Sequence, residues 1–143
     1  MRQLLMDQVR RGARSPNGGP ERRSGAEALL WSRLGLKFWV DCFKDYLRAP
    51  SKTTLQAATR NGFQNSLARY LDRFSRAAFN AAVGSIPDWD YVRRRTHLGC
   101  QDGVCSDEQL TQELRSFVNE VEPVLERMTA LQKSVGLEDP RTP

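Results

Sequence analysis

Four side chains in this sequence have the chemistry of zinc ligands. His97, Cys100 and Cys105 fall within nine residues of a glycine-containing stretch, and Cys42 lies much earlier in the chain. Zinc takes four nitrogen or sulfur ligands in a tetrahedron, so this set would suffice if the fold brought Cys42 to the other three. The spacing is not that of a common zinc finger, and a single cysteine is often a small buried apolar residue. We therefore predict no cofactor, with a zinc site at these four residues as the alternative.

Nucleophilic catalysis by a cysteine would draw on the same stretch. Cys100 follows His97 by three residues, and a run of arginines just before them could lower the pKa of a thiol. The sequence carries no oxyanion-hole signature, no orienting motif for the pair and no Gly-rich phosphate loop. We therefore predict that the chain is not an enzyme.

The elements that must position these residues all have the patterns of helices. A capping box begins at Ser24 and a second at Ser106, and each predicts the start of a helix. Between them, residues 51–60 predict a short helix, and residues 61–84 predict a single amphipathic helix whose apolar side lines a core. No segment alternates apolar and polar residues in the manner of a half-buried strand.

The fold class follows from these elements and from the length of 143 residues, which suits one domain. We predict an all-α, four-helix bundle-like single domain with a long heptad-patterned C-terminal helix. Its helical part spans residues 24–136. A basic flexible tail at residues 1–23 precedes it, and a short tail at residues 137–143 follows it.

The C-terminal helix carries the strongest interaction pattern. Its apolar residues recur at alternating spacings of four and three, as in a coiled-coil seam. These residues are Leu110, Leu114, Phe117, Val121, Val124, Met128 and Leu131. Pro123 lies off the seam and predicts a kink or a split near Glu122. We predict a protein–protein interaction module that binds another protein or a second copy of itself through residues 106–135.

Aromatic residues of the first helix form a second candidate interaction surface. Trp31, Phe38 and Trp39 lie within nine residues of one another, and large aromatic side chains dominate many protein interfaces. Gly35, in the interior of the same helix, lowers its helix propensity and predicts the close approach of another backbone.

Arginines support an alternative function in nucleic-acid binding. The formal net charge is +5, and Arg69, Arg73 and Arg76 follow the spacing of one helix face. A second group, outside that helix, consists of Arg93, Arg94 and Arg95. Such a surface would contact phosphates of duplex RNA or DNA, although no named nucleic-acid-binding motif is present.

A third function is implied by a short resemblance within the central helix. Phe63, Leu67, Tyr70, Asp72 and Phe74 follow one another as four apolar anchors and one acid. In this order they resemble the BH3 motif of the Bcl-2 family of apoptosis regulators. The resemblance implies that the apolar residues dock in a groove and that Asp72 pairs with an arginine of the partner.

The cellular compartment is predicted from the apolar runs, the cysteines and the N-terminal arginines of the sequence. No apolar run approaches the roughly 20 residues of a membrane-spanning helix, so no span is expected. Three cysteines without a secretory signal favour a reducing compartment, which is the cytoplasm or the nucleus. The arginine-rich N-terminal residues make the mitochondrial matrix an alternative.

Overall fold

The computed structural model describes residues 24–50, 52–95 and 106–137, together with positions 3, 6, 7 and 20. Within the three long ranges, five α-helices and one 3-10 turn are present and no strand occurs. The helices are α1 (Gly25–Arg48), α2 (Leu55–Asn65), α3 (Arg73–Val83), α4 (Trp89–Arg95) and α5 (Asp107–Ser134); the 3-10 turn is Ala68–Tyr70. The predicted all-α class is confirmed.

Short polar side chains set where the helices begin. The Ser24 hydroxyl accepts a hydrogen bond from the Glu27 amide at 3.1 Å, and Thr54 does the same for Ala57 at 3.1 Å. At α5 the capping box is reciprocal: the Gln109 amide donates to the Ser106 hydroxyl, and the Ser106 amide donates to the Gln109 side chain. Each cap satisfies amides that the first turn leaves without helical partners, so the starts are encoded locally.

α1 is the centre of the fold, because α2 packs along one side of it and α5 along another. Cys42 packs with Leu55 and Ala58 of α2. Val40 packs with Val118 of α5. Coverage on two sides explains why apolar residues nearly ring α1. No helix in the described part of the chain is long and apolar enough to cross a membrane.

The backbones of α1 and α2 approach each other closely at Gly62. The prediction that such an approach occurs at Gly35 was wrong. A Cβ at Gly62 would lie 2.7 Å from the Phe38 carbonyl oxygen and 3.1 Å from the Cys42 amide nitrogen. A Cβ at Gly35 would meet no atom of the described residues within 4 Å. Glycine is thus needed in α2, where that helix crosses α1.

The predicted single helix over residues 61–84 is also wrong. α2 already contains its first residues and ends at Asn65, and the chain then turns before α3 begins. Leu71 has extended backbone angles, with φ −101° and ψ 146°. The Asp72 carboxylate accepts from the Ser75 amide at 2.7 Å and so caps a new helix. Local capping therefore outweighs the continuous apolar period.

α5 turns its apolar side toward α1, and the helix continues through Pro123 without splitting. Val124, which the heptad pattern places on the seam, is 44% exposed, whereas the adjacent Leu125 is buried. The residues of α5 that the structure buries are Leu110, Leu114, Val118, Leu125 and Gln132. Much of the predicted seam is therefore covered within the chain itself.

Candidate functional site

A small cleft of about 190 Å³ opens where α1, the end of α2 and α5 meet. Among the described residues that line it are four cations and no carboxylate. The lining consists of Arg33, Leu34, Lys37, Asn65, Ser66, Arg69, Tyr70, Leu125, Thr129 and Lys133. The cleft thus combines positive charge, hydroxyl groups and an apolar wall, which suits a ligand with both a polar and an apolar part.

Arg33 brings positive charge to the buried part of this cleft. Its side chain is only 4% exposed, and its Nη1 donates to the Thr129 hydroxyl at 3.0 Å. Thr129 in turn donates to the Leu125 carbonyl at 2.8 Å, which fixes the orientation of that hydroxyl. A buried guanidinium is costly unless its donors are satisfied, so this contact with α5 helps to hold Arg33 in place.

Lys37 lies one turn further along α1 and forms an ion pair with Asp41. The Lys37 ammonium lies 2.7 Å from the Asp41 carboxylate, at the i, i+4 spacing that favours such pairs in a helix. Asp41 does not line the cleft but a neighbouring groove. Lys37 therefore adds positive charge at the boundary between the two.

An aromatic pair borders the cleft. Tyr70 is buried in contact with Leu30 and Leu34, and the Trp31 ring meets it edge-on at a centroid distance of 6.3 Å. Trp31 is 39% exposed, so part of its indole faces solvent. An indole with one side packed and one side exposed is a rigid platform for a ligand.

A second exposed surface lies on α3. Phe74 is 84% exposed, and Arg73 and Arg76 beside it are also exposed. The helix is anchored through Phe79, whose ring stacks on Phe63 at a centroid distance of 3.8 Å. α3 therefore presents an aromatic side chain flanked by cations to its surroundings.

Asp72 stabilises the start of that surface. Hydrogen bonds from the backbone N–H and the hydroxyl of Ser75 hold the pKa of the Asp72 carboxyl below its usual value. Because the ionised form is the better acceptor, the cap is present above the ordinary carboxyl range and is lost as the pH falls through the lowered pKa.

The five residues of the BH3 resemblance do not form one docking helix. Phe63 is fully buried in α2, Tyr70 is buried in the 3-10 turn, and Phe74 is exposed on α3. Leu67 is only partly exposed and packs against Tyr70 and the Phe63 cluster. Asp72 is occupied as a helix cap. These side chains cannot enter a common groove without unfolding this region.

The arginines predicted as one surface are divided. Arg69 lines the cleft, whereas Arg73 and Arg76 lie beyond the break, on α3. In α4, Arg93 forms ion pairs with Asp90 and Asp107. The Arg95 guanidinium lies 5.5 Å from the centroid of the Tyr91 ring, and Arg94 is exposed. The six side chains therefore belong to three separate parts of the surface.

Most of the predicted interaction residues are core or partly buried. Leu110 and Leu114 pack on Tyr46, Phe117 and Val121 pack near Val40, and Met128 and Leu131 pack near Ala26. On α1, Phe38 is buried, while Trp31 and Trp39 keep exposed faces. Only Trp31, Trp39 and Val124 of the predicted set are large and exposed.

The structure describes only one of the four residues of the predicted zinc site, which is Cys42. Cys42 is fully buried, and desolvation raises the pKa of its thiol to about 11, against a smaller opposing hydrogen bond with Thr59. His97, Cys100 and Cys105 lie outside the described residues. Within the described ranges, no group of three or more His, Cys, Asp or Glu side chains could hold a metal ion.

Comparison with protein families assigns this fold. Residues 1–95 match the family described as glycolipid transfer protein (GLTP), which is more than half of the chain. The chain belongs to the glycolipid transfer protein family. Proteins of the glycolipid transfer protein family transfer lipids and are not enzymes, so the prediction of a non-enzymatic protein is confirmed.

Solved structures share the fold of this family member. Mouse ceramide-1-phosphate transfer protein, in its apo form, matches with a TM-score of 0.76 at 19% identity, covering 98% of this chain and 65% of that one. The human protein in complex with 12:0 ceramide-1-phosphate matches with a TM-score of 0.76 at 20% identity, with the same coverage of 98% and 65%. FAPP2, whose structure concerns selection of simple glycosphingolipids by the GLTP-fold, gives 0.73 at 20% identity, covering 96% and 63%.

The chain spans less than two thirds of the length of these three structures. No curated protein matches its sequence.

Membership of the glycolipid transfer protein family corrects the predicted function. The interaction module, the nucleic-acid-binding protein and the BH3-like regulator are wrong, because the family acts on lipids. The prediction that its partner is another protein, a second copy of the chain or nucleic acid is wrong for the same reason. The seam that suggested them is apolar because it packs within the chain.

Sequence reasoning also missed three of the four cations in the cleft. Arg33 and Lys37 lie four residues apart within an otherwise largely apolar helix, and Lys133 lies on α5. For Arg33 and Lys37, the available signal was a pair of positive charges four residues apart, on one helix face, within an apolar stretch. Nothing local connects Lys133 or Arg69 to them, since these residues meet only in the folded chain.

Proposed function

We propose that this chain binds a membrane lipid that has a polar headgroup and carries it between membranes without altering it chemically. The observation that carries the proposal is the match of residues 1–95 to the glycolipid transfer protein family. The fold likeness to proteins named for ceramide-1-phosphate and for simple glycosphingolipids supports it. The proposal keeps the bundle-like arrangement predicted from the sequence, with α5 as its long C-terminal helix.

Trp31 is the side chain that we expect to contact the headgroup. Its indole is held edge-on against Tyr70 and remains 39% exposed. A fixed aromatic face attracts the polarised C–H bonds of a sugar ring and excludes water from one side of it. The cations of the adjacent cleft would add attraction for a charged group.

Phe74 is the side chain that we expect to touch the membrane. A lipid carrier must reach the bilayer surface, and an exposed aromatic ring between two arginines is suited to that boundary. Arg73 and Arg76 would add about 1 kcal/mol each when they lie near anionic lipid headgroups. α3 therefore supplies both the apolar and the electrostatic part of a shallow membrane contact.

A vesicle transfer assay tests the proposed function. Donor vesicles carry a fluorescent glycolipid, a fluorescent ceramide-1-phosphate or, as the control, a fluorescent phosphatidylcholine. We expect the chain to accelerate movement of at least one sphingolipid over the protein-free rate, and to leave phosphatidylcholine unchanged. No acceleration and no binding of either sphingolipid would refute the proposal.

Two substitutions separate the proposed steps. Trp31→Ala is expected to reduce lipid binding measured in detergent-free solution, while retaining attachment to empty vesicles. Phe74→Asp is expected to reduce attachment to vesicles, because a charge replaces the inserted ring. Arg48→Ala, at an exposed position of α1, serves as the surface control.

A further inference from the structure

Gln132 is a polar residue on the side of α5 that packs against α1. Its side chain is fully buried, and both its amide nitrogen and its oxygen lack a hydrogen-bond partner among the residues that the structure describes. An unpaired buried amide destabilises the folded chain, so its presence calls for a reason. We propose that Gln132 determines specificity by hydrogen bonding to an amide linkage of the carried lipid. This role rests on the proposed lipid carriage and adds a residue outside the Trp31 contact.

Gln132 lies directly behind the lining of the cleft. It follows the buried Leu125 by seven residues and Thr129 by three, so the three lie on one side of α5. Thr129 lines the cleft and accepts the hydrogen bond from Arg33, and the adjacent Lys133 lines the cleft as well. The unpaired amide is therefore one helical turn from the space that a ligand enters.

The packing of α1 on α5 is interrupted at this level. The cleft of about 190 Å³ and a groove of about 420 Å³ share several lining residues, among them Thr129 and Lys133, which form the wall between the two. On either side of this level, apolar clusters around Val40 and around Ala26 hold the two helices together. A ligand in the cleft thus reaches Gln132 by displacing a few side chains, while both clusters stay in place.

The chemistry of the glutamine amide selects the group that it would bind. Gln132 offers N–H donors at Nε2 and an acceptor at Oε1. A secondary amide of a ligand matches both, because its N–H donates to Oε1 while its carbonyl accepts from Nε2. An ester in the same place has no N–H, and Oε1 would remain unpaired. The position therefore favours lipids whose chain is joined through an amide over those joined through an ester.

The surroundings of Gln132 suit the linkage region of an amphiphile. Trp31, the proposed headgroup contact, packs on Tyr70, and Tyr70 lines the cleft. One turn beyond Gln132, Val135 belongs to an apolar cluster with Leu29 of α1. From the headgroup contact inward, a lipid would meet an aromatic ring, then polar groups and then apolar side chains. The amide linkage of a lipid lies between its headgroup and its chains, which is the position of Gln132 in this order.

An internal water is the competing occupant. Such waters usually make about three hydrogen bonds to groups that otherwise lack partners. Gln132 offers two such atoms, and within the described ranges no other side chain adds a buried atom without a partner. A water at this position would not respond to the linkage of a bound lipid, so the two occupants predict different results.

The test combines one change in the chain with one change in the ligand. Gln132→Met keeps a similar volume and removes both hydrogen-bonding atoms, and Gln112→Met makes the same replacement at an exposed position of α5. The ligands are a fluorescent galactosylceramide and a fluorescent ceramide-1-phosphate, each paired with an analogue in which an ester oxygen replaces the amide nitrogen. Equilibrium binding to the full chain is measured from phosphatidylcholine vesicles that carry one of the four lipids.

We expect the parent chain to bind the amide form about tenfold more tightly than the ester form, for whichever headgroup it accepts. Gln132→Met should bind the amide form about tenfold more weakly and the ester form within about twofold of the parent, so that the preference disappears. Gln112→Met should retain it. Thermal unfolding accompanies each titration. Because removal of an unpaired buried amide should raise the unfolding temperature, weaker binding by Gln132→Met would not reflect lost structure.

Three results would overturn the role of Gln132. These are equal binding of both forms by the parent chain, an unchanged preference in Gln132→Met, and equal weakening of both forms, which indicates a disturbed cleft. Gln132→Leu repeats the comparison with a branched apolar side chain. Sphingolipid transfer by the parent chain, together with any of these results, refutes the role of Gln132 and leaves the proposed function standing. Failure to bind any of the four lipids refutes both.

Discussion

α5 and α3 are both amphipathic, but the fold covers the apolar face of only one of them. On α5, Leu110 and Leu114 pack against Tyr46 of α1 and are buried. On α3, Val83 is the buried residue, and Phe74 is 84% exposed. Apolar periodicity thus identifies the apolar face of a helix but does not identify what lies against it.

The difference has a physical origin in what each helix meets. α5 runs alongside the 24-residue α1 and can bury a face along several turns. α3 has 11 residues, follows a turn, and is attached mainly through Phe79 stacked on Phe63. Its remaining apolar side chains are available to a lipid or a membrane, which is where the proposed function places them.

The largest expected effect comes from a comparison of two phenylalanines, one buried and one exposed. Phe63→Ala should lower the free energy of unfolding by about 3–5 kcal/mol, because it empties a fully buried position under Phe79. Phe74→Ala should change it by less than about 0.5 kcal/mol, as is usual for exposed positions. Urea denaturation followed by circular dichroism measures both. Equal losses would mean that something in the chain covers Phe74.

The second test compares two glycines within helices. Gly62→Ala should cost about 1–3 kcal/mol, because the new methyl group would meet the Phe38 carbonyl at 2.7 Å. Gly35→Ala adds a methyl group that no described residue would contact, and it should stabilise α1 by about 0.5–1 kcal/mol through helix propensity. The same propensity gain applies to both, so the difference between their unfolding curves isolates the helix contact. A stabilising Gly62→Ala would show that α1 and α2 are further apart.

A smaller effect is expected at Gln132, within the covered face of α5. Its side chain is fully buried, and neither its amide nitrogen nor its oxygen has a hydrogen-bond partner among the residues that the structure describes. Gln132→Met keeps a similar volume and removes the desolvated amide, so it should raise the free energy of unfolding by about 1–2 kcal/mol. The exposed Gln112→Met is the control and should have little effect. A loss of stability at position 132 would indicate that the amide is satisfied.

The smallest expected effect on stability concerns Cys42, beneath α2. Burial raises the pKa of its thiol from 9.0 to about 11, so almost no thiolate forms at pH 8 in the folded chain. Iodoacetamide should therefore label Cys42 slowly until urea unfolds the protein, as read by site-resolved mass spectrometry. The raised pKa also means that its contribution to stability is present below pH 9 and falls as the pH rises toward 11. Rapid labelling of folded protein would place Cys42 at the surface.

Local signals in the sequence predicted some elements well. Ser24 and Ser106 mark the first turns of α1 and α5, because a cap depends on residues within three positions of one another. The break between α2 and α3 also has a local cause in Asp72, but the apolar period across residues 61–84 concealed it. Here the local cap of Asp72 outweighed the apolar period.

The candidate site was harder to predict than the helices. Trp31 and Arg69 were singled out from the sequence, but for protein and nucleic-acid contacts that the family assignment excludes. Arg33 draws its position from Thr129, which lies 96 residues away in the chain. Since no short-range pattern encodes such a meeting, the cleft could not be assembled from sequence spacing.

By itself, the sequence determined that the chain is helical and where its best-capped helices start, because propensity, capping and apolar periodicity act over a few residues. Only the tertiary structure decided that the α5 face is core and the α3 face is surface, because burial depends on which helix lies opposite. It also decided that Arg33, Lys37, Arg69 and Lys133 share one cleft. Their charges meet because α1, the turn after α2 and α5 pack together, and that packing is a property of the whole chain.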